Sequence, residues 1–243
     1  MLLAILLVAV TLILFIASQA AIYRRRIARA EELSARAACA QAERERFSKT
    51  IVVIGDSLAV GVGAMTPAES VAGRIADAFP HARLYNYSKP GRRACDAMGQ
   101  LEQFSHSHAD VVLIQMCAND VAGLHSIKSV EQHMRAVVDR AHGLGAKVIL
   151  MPGGNFAMSP FFFWPAQHIL MWRIQEIRAM LDRLAKETGA TFVDLVCEPE
   201  RDPFLKEPHR FFSEDLIHPT ADGYAFYFTQ LLEKAALQRH LAP

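Results

Sequence analysis

Apolar positions along this chain follow two patterns. From Leu2 to Ala17 they are almost unbroken. After Lys49 they return as short runs: Ile51–Ile54, Ala82–Tyr87, Val111–Met116, Lys147–Met151 and Thr191–Leu195. Between these runs lie longer segments with helical spacing, Ser70–Phe79, Arg92–Phe104, Ser126–Leu144 and Gln167–Thr188, and a last helix fits Ala221–Leu241. Continuous apolar runs that alternate with amphipathic helices predict parallel strands buried on both faces. Pro80, Gly143, Gly145 and Gly189 punctuate the helices where this reading needs them to stop. The expected fold is α/β: a flavodoxin-like, doubly wound three-layer sandwich with a five-stranded parallel sheet over residues 49–243, too short for a second domain.

The amino-terminal pattern predicts something else. Residues 1–23 carry no charged side chain, and Arg24, Arg25, Arg26 and Arg29 follow at once. An uncharged run of this length spans a bilayer core. A cleaved signal peptide would need a basic first region and a clear cut site, and arginines crowd any cut after Ala20. Residues 1–23 therefore read as an uncleaved transmembrane anchor, a single pass through the membrane. The arginines lie C-terminal to it, and by charge bias this puts the soluble domain in the cytoplasm, while Glu31 and Glu32 close behind them keep an extracytoplasmic domain as the alternative. Residues 24–48 are rich in Ala, Glu, Arg and Gln and read as a charged, solvated helical stalk.

Composition narrows the function. Lys and Arg total 26 against 25 Asp and Glu, so no excess of positive charge invites nucleic acid. Four scattered cysteines form no C-x-x-C pair, which argues against a zinc site or a disulfide framework.

In an open α/β sheet, ligands sit beyond the carboxyl ends of the strands. Those ends carry Gly55-Asp56-Ser57, Asn86 to Gly91, Cys117-Ala118-Asn119-Asp120, Gly153-Gly154-Asn155 and, after a long loop, Asp215-Leu216-Ile217-His218-Pro219. A serine hydroxyl needs a base to take its proton, and imidazole has a suitable pKa. The imidazole needs an acceptor on its other nitrogen, and the oxyanion needs fixed donors. Ser57 fits the nucleophile, His218 the base and Asp215 the orienting acid. The oxyanion donors would be the N–H of Ser57, the N–H of Gly91 and the amide of Asn119. Gly91 suits this role because no Cβ obstructs its backbone.

"GDSL" at Gly55–Leu58, "NYSKPG" ending in Gly91, "CAND" at Cys117–Asp120 and "DLIHP" at Asp215–Pro219 resemble the four signature blocks of the SGNH (GDSL-type) hydrolases. They occur in the family's order, from Ile51 to the last helix. The resemblance implies Ser57, Asp215 and His218 as a catalytic triad, with Ser57, Gly91 and Asn119 as the oxyanion hole. It implies hydrolysis of esters or thioesters, in some members of acylated carbohydrates, with no metal or organic cofactor, and the membrane anchor adds lipids to the expected substrates. One departure stands out: the third block usually begins with glycine, and here it begins with Cys117.

Competing readings attach to several residues. Gly-Asp-Ser is ordinary turn chemistry by itself. The α/β-hydrolase fold shares the chain order Ser, Asp, His, but its G-x-S-x-G elbow fails at Ala59. Gly61-Val62-Gly63 hints at a dinucleotide loop, but Thr66 stands where the third glycine belongs. His106 and His108 form an H-x-H pair without a third ligand. Asp56 and Asp120 read as loop braces, and Arg92 and Arg93 as solvated charges or contacts for an anionic head group. Pro160 to Pro165, with its three phenylalanines and Trp164, reads as core packing, an acyl-chain wall or a bilayer contact. Two functions remain beside hydrolysis: a membrane-tethered acyltransferase, and a catalytically inactive binding module.

Overall fold

The computed structural model describes residues 1–242, so Pro243 of the expected domain lies outside the described residues. Five parallel strands form one sheet: β1 (Lys49–Gly55), β2 (Ala82–Asn86), β3 (Val111–Gln115), β4 (Lys147–Leu150) and β5 (Thr191–Phe192). Their order is β2-β1-β3-β4-β5, with Ile51 paired to Leu84 on one side and to Val111 on the other. This is the flavodoxin-like order, and winding reverses between β1 and β3.

The helices are α1 (Leu2–Arg36), α2 (Ser57–Val60), α3 (Val71–Ala78), α4 (Ala97–Leu101), α5 (Ala118–Ala122), α6 (Ile127–His142), α7 (Ala166–Thr188), α8 (Pro203–Lys206), α9 (Pro208–Phe211), α10 (Ala221–Ala235) and α11 (Leu237–His240). The two-residue period of a strand divides the core. Val52, Ile54, Val112, Ile114, Val148 and Leu150 pack beneath α4, α6 and α7. Ile51, Val53, Leu84, Val111, Leu113 and Ile149 pack beneath α3 and α10. Both faces of the central strands β1, β3 and β4 are covered, which is why these read as apolar runs, whereas β2 alternates buried and half-buried positions, with Arg83 and Tyr85 on the less covered side.

Four elements differ from the sequence expectation, the first three of them helices and the fourth β5, which ends at Phe192. The expected Arg92–Phe104 helix shortens to α4 with a 3₁₀ turn before it at Ala94–Asp96. Carboxylates hold that turn: Asp96 accepts from the Arg93 N–H, and Asp120 accepts from the Ala94 N–H, both at 2.9 Å. The last helix breaks at Ala236, which takes a left-handed conformation (φ 48°). The third difference is α1. The segment Ile5–Arg36 is long and apolar enough to cross a membrane, but the helix ends at Arg36 and its last turns are not solvated on all sides. Arg26 donates to the Phe161 carbonyl at 2.6 Å and lies over the Phe163 ring at 4.4 Å. Tyr23 meets the Phe161 ring edge-on, with centroids 5.1 Å apart. Arg29 pairs with Glu214. Beyond the helix, Ala42 bridges Leu84 at the free edge of β2.

Candidate active site

The winding reversal sets the site. β1 ends at Gly55, the chain turns, and α2 starts at Ser57. Asp56 caps α2 by accepting from the Leu58 N–H at 3.0 Å. The α4 side chain Gln100 braces the strand end, accepting from the Gly55 N–H at 2.7 Å and donating to its carbonyl at 2.9 Å. Asn86, at the end of β2, donates to the Ala59 carbonyl at 2.9 Å. Ser57 thus starts a short helix anchored to both neighbouring elements.

His218 arrives from the opposite end of the sequence. Its Nε2 lies 2.8 Å from the Ser57 Oγ, and its Nδ1 lies 2.5 Å from Asp215 Oδ2. Asp215 also accepts from the Ser213 hydroxyl and from the backbone N–H groups of Ile217 and His218. Burial raises the Asp215 pKa, but the His218 ring and these donors outweigh it, so the carboxyl titrates below its ordinary range. An ionised Asp215 accepts from Nδ1–H, which leaves the Nε2 lone pair facing the serine. The turn closes through a 2.8 Å bond from the Ser213 N–H to the His218 carbonyl, with Leu216 left-handed (φ 68°).

The three oxyanion candidates line the same cavity as Ser57 and His218, a space of about 370 Å³. Gly91 has φ 75°, and open space lies where a Cβ would stand. Among the described residues, neither the Ser57 N–H nor the Gly91 N–H has a protein acceptor. Asn119 donates one amide hydrogen to the Arg92 carbonyl at 2.9 Å, which fixes its side chain next to the Gly91 turn. Two amide donors without partners and a pinned carboxamide can receive developing negative charge. Leu58, Phe156, Phe161 and Ile217 make much of the remaining wall apolar.

Cys117 is buried and has φ 94°, the left-handed region. A side chain there is strained, which accounts physically for glycine at this place in the signature block. Burial, with the Asp120 and Asp56 carboxyls nearby, pushes its thiol well above the ordinary value. It is a neutral packing group, not a nucleophile. Burial likewise raises the Asp56 pKa to about 7, against the Leu58 and Ala118 N–H groups and the His218 ring, which pull it down.

Sequence reasoning missed several supporting residues. Gln100, Asn86 and Ser213 brace the site through partners that no local pattern announces. Gly63 is another. A Cβ on it would lie 2.4 Å from the Pro219 carbonyl oxygen and 3.1 Å from the His218 Cβ. The loop set aside as a failed dinucleotide motif is the surface on which the histidine turn rests. Tyr224 ties it down, donating to the Val62 carbonyl at 2.7 Å. His106 packs against Tyr85 and Phe104.

A flavodoxin-like sheet that gathers a hydroxyl, an imidazole and a carboxylate in series at its carboxyl edge has the parts a serine hydrolase needs. The family model described as GDSL-like lipase/acylhydrolase matches residues 53–226, most of the chain, and the chain belongs to that family. It is a hydrolase acting on ester bonds. No curated protein matches it in sequence. Among solved structures, it is similar to TesA, with 18% identity, TM-score 0.60, and 79% of this chain and 99% of that one covered. It is also similar to a lipase/acylhydrolase from Enterococcus faecalis, with 18% identity, TM-score 0.59, and 79% and 97% covered. A third is phospholipase A1 from Streptomyces albidoflavus NA297, with 15% identity, TM-score 0.58, and 77% and 99% covered. At these identities the likeness speaks for the fold.

Proposed function

We propose that this chain is a membrane-anchored serine esterase that cleaves carboxylic esters or thioesters through Ser57, His218 and Asp215. The observation that carries this reading is the 2.8 Å approach of His218 Nε2 to the Ser57 hydroxyl, with Asp215 at 2.5 Å behind the ring. Ser57 Oγ attacks the acyl carbonyl carbon while His218 takes its proton. The oxyanion is received by the N–H groups of Ser57 and Gly91 and the Asn119 amide. Collapse of the intermediate breaks the bond to the alcohol or thiol, which leaves with the proton from His218. Water then attacks the acyl-enzyme, gives a proton to the same imidazole and releases the acid. The apolar cavity suits an acyl chain, and membership of a family described as lipase/acylhydrolase supports lipid-like substrates. The uncharged residues 1–23 fit a single membrane span, and the arginines after it favour a cytoplasmic domain.

The test uses a fluorophosphonate probe and p-nitrophenyl acyl esters on the full chain. The parent should label covalently and turn over ester. Ser57→Ala should lose labelling and about 10⁴-fold or more of its turnover, with its circular dichroism retained. Retained turnover in Ser57→Ala, or an unlabelled parent, refutes the mechanism. An unlabelled parent would favour an inactive binding module. Acyl transfer to an added alcohol in preference to water would favour an acyltransferase.

A further inference from the structure

The helix that leaves the anchor is part of the catalytic cavity. Ile27, Ala30, Glu31 and Ser34 of α1 line the same space as Ser57, Asn119 and His218. The helix is held there by Phe161 and Phe163, and Phe161 itself forms part of the cavity wall. At a helical rise of about 1.5 Å per residue, Ile27 lies about 6 Å and Ser34 about 16 Å along the axis from Tyr23. Tyr23 is the last residue before the arginines begin. The head-group layer on each side of a bilayer is roughly 5–8 Å deep. With residues 1–23 as the proposed span, the cavity would start at the membrane surface.

A second observation concerns the segment that clamps α1. Pro160 to Pro165 divides its aromatic residues. Phe161 and Phe162 are buried, Phe163 lies against Tyr23 and Arg26, and Trp164 is 76% exposed. In the first turns of α7 that follow directly, Ile169 is 47% and Trp172 61% exposed. Two exposed tryptophans and an isoleucine next to the exit of an apolar helix fit the lipid–water interface, where indole rings are favoured.

We propose that the Trp164–Ile169–Trp172 surface seats the domain on the bilayer, and that the α1-walled cavity takes amphiphilic esters whose acyl chains reside in that bilayer. The occupant of the surface is the lipid membrane, because Trp164 directly follows Phe163, which lies against the anchor helix at Tyr23, and Ile169 and Trp172 follow it along the chain. The chain would enter along α1, past Ile27 and Ala30, with its carbonyl delivered to Ser57. This rests on the esterase reading and adds the source of the substrate.

The full chain, reconstituted in phosphatidylcholine vesicles, is tested on p-nitrophenyl palmitate held in the bilayer and on water-soluble p-nitrophenyl butyrate. In Trp164→Ala/Trp172→Ala, the palmitate-to-butyrate turnover ratio should fall about tenfold in vesicles and return to the parent's in detergent micelles, where no surface need be found. In Ala30→Trp, which fills the α1 wall, the ratio should fall in both media. An unchanged ratio in vesicles, or a tryptophan defect that persists equally in micelles, overturns the seating, and a protein partner for the patch then becomes the better reading. A parent that turns over neither ester overturns the esterase assignment as well, which separates the two failures.

Discussion

Cys117 offers a clean test of how this chain departs from its family signature. Its φ of 94° is left-handed, and its side chain is buried. A residue with a Cβ costs about 1–2 kcal/mol in that region, whereas glycine is at ease there. Glycine, however, loses about 0.4–1 kcal/mol relative to alanine through its freer unfolded chain. The balance makes Cys117→Gly more stable than Cys117→Ala by about 0.5–1 kcal/mol. Elsewhere in a fold, alanine for glycine usually stabilises. Against the parent, both variants lose the buried sulfur, a group worth about 1 kcal/mol. Cys117→Gly should therefore match the parent, and Cys117→Ala should fall below it. For a domain of this size the gap between the variants is about 2–3 °C in melting temperature. Thermal unfolding of the detergent-solubilised full chain by circular dichroism reads it directly. Equal melting temperatures, or an alanine variant above the glycine variant, would mean that position 117 is not left-handed in solution. The strained loop beside Asn119 would then have to be redrawn.

Two further perturbations follow from the site. Gly63→Ala forces a Cβ to within 2.4 Å of the Pro219 carbonyl oxygen. The histidine turn must shift, and a displacement near 1 Å should lower kcat about 10²-fold, with KM moving much less; kinetics within threefold of the parent would show that Gly63 does not support His218. Asp56 keeps its proton in the folded chain up to about pH 7, whereas an unfolded aspartate releases it near 3.8. The unfolded state binds fewer protons across that window, so this group's contribution to stability falls as pH rises through it, by up to about 4 kcal/mol, and is level above it. Asp56→Asn cannot titrate and keeps the cap to Leu58, so it should gain that amount on the parent between pH 4 and pH 8 in urea unfolding; parallel pH profiles would contradict the burial argument.

The sheet was legible because both of its faces are buried. The central strands β1, β3 and β4 announced themselves as apolar runs and β2 as an alternation around Leu84, and small polar residues marked the carboxyl ends. The exception is β5, expected to reach Leu195 but paired only at Thr191 and Phe192. Val193 still donates to the Leu150 carbonyl at 2.8 Å, and Leu195 beyond it stays buried, so the apolar run continues after sheet pairing stops. Asp194 explains the departure: it accepts from the Val196 N–H at 3.0 Å and pairs with Arg178, bending the chain out of the ladder. Apolar periodicity reports burial, and burial outlasts hydrogen bonding at a sheet edge.

The role of α1 was not legible, for a reason that also governs the site's supporting residues. Arg36 pairs with Glu32 one turn earlier, which is how a solvated helix reads. The contacts that make the helix a wall are with Phe161 and Glu214, 135 and 185 residues away. Gln100 braces Gly55 across 45 residues, through backbone groups that every residue possesses. Ser57, Asn119 and His218 stood out because reaction chemistry demands particular side chains at strand ends. A residue that only positions another faces no such demand. Gly63 is the limiting case: its contribution is the absence of an atom, and what that atom would strike is the carbonyl of Pro219, at the far end of the domain sequence.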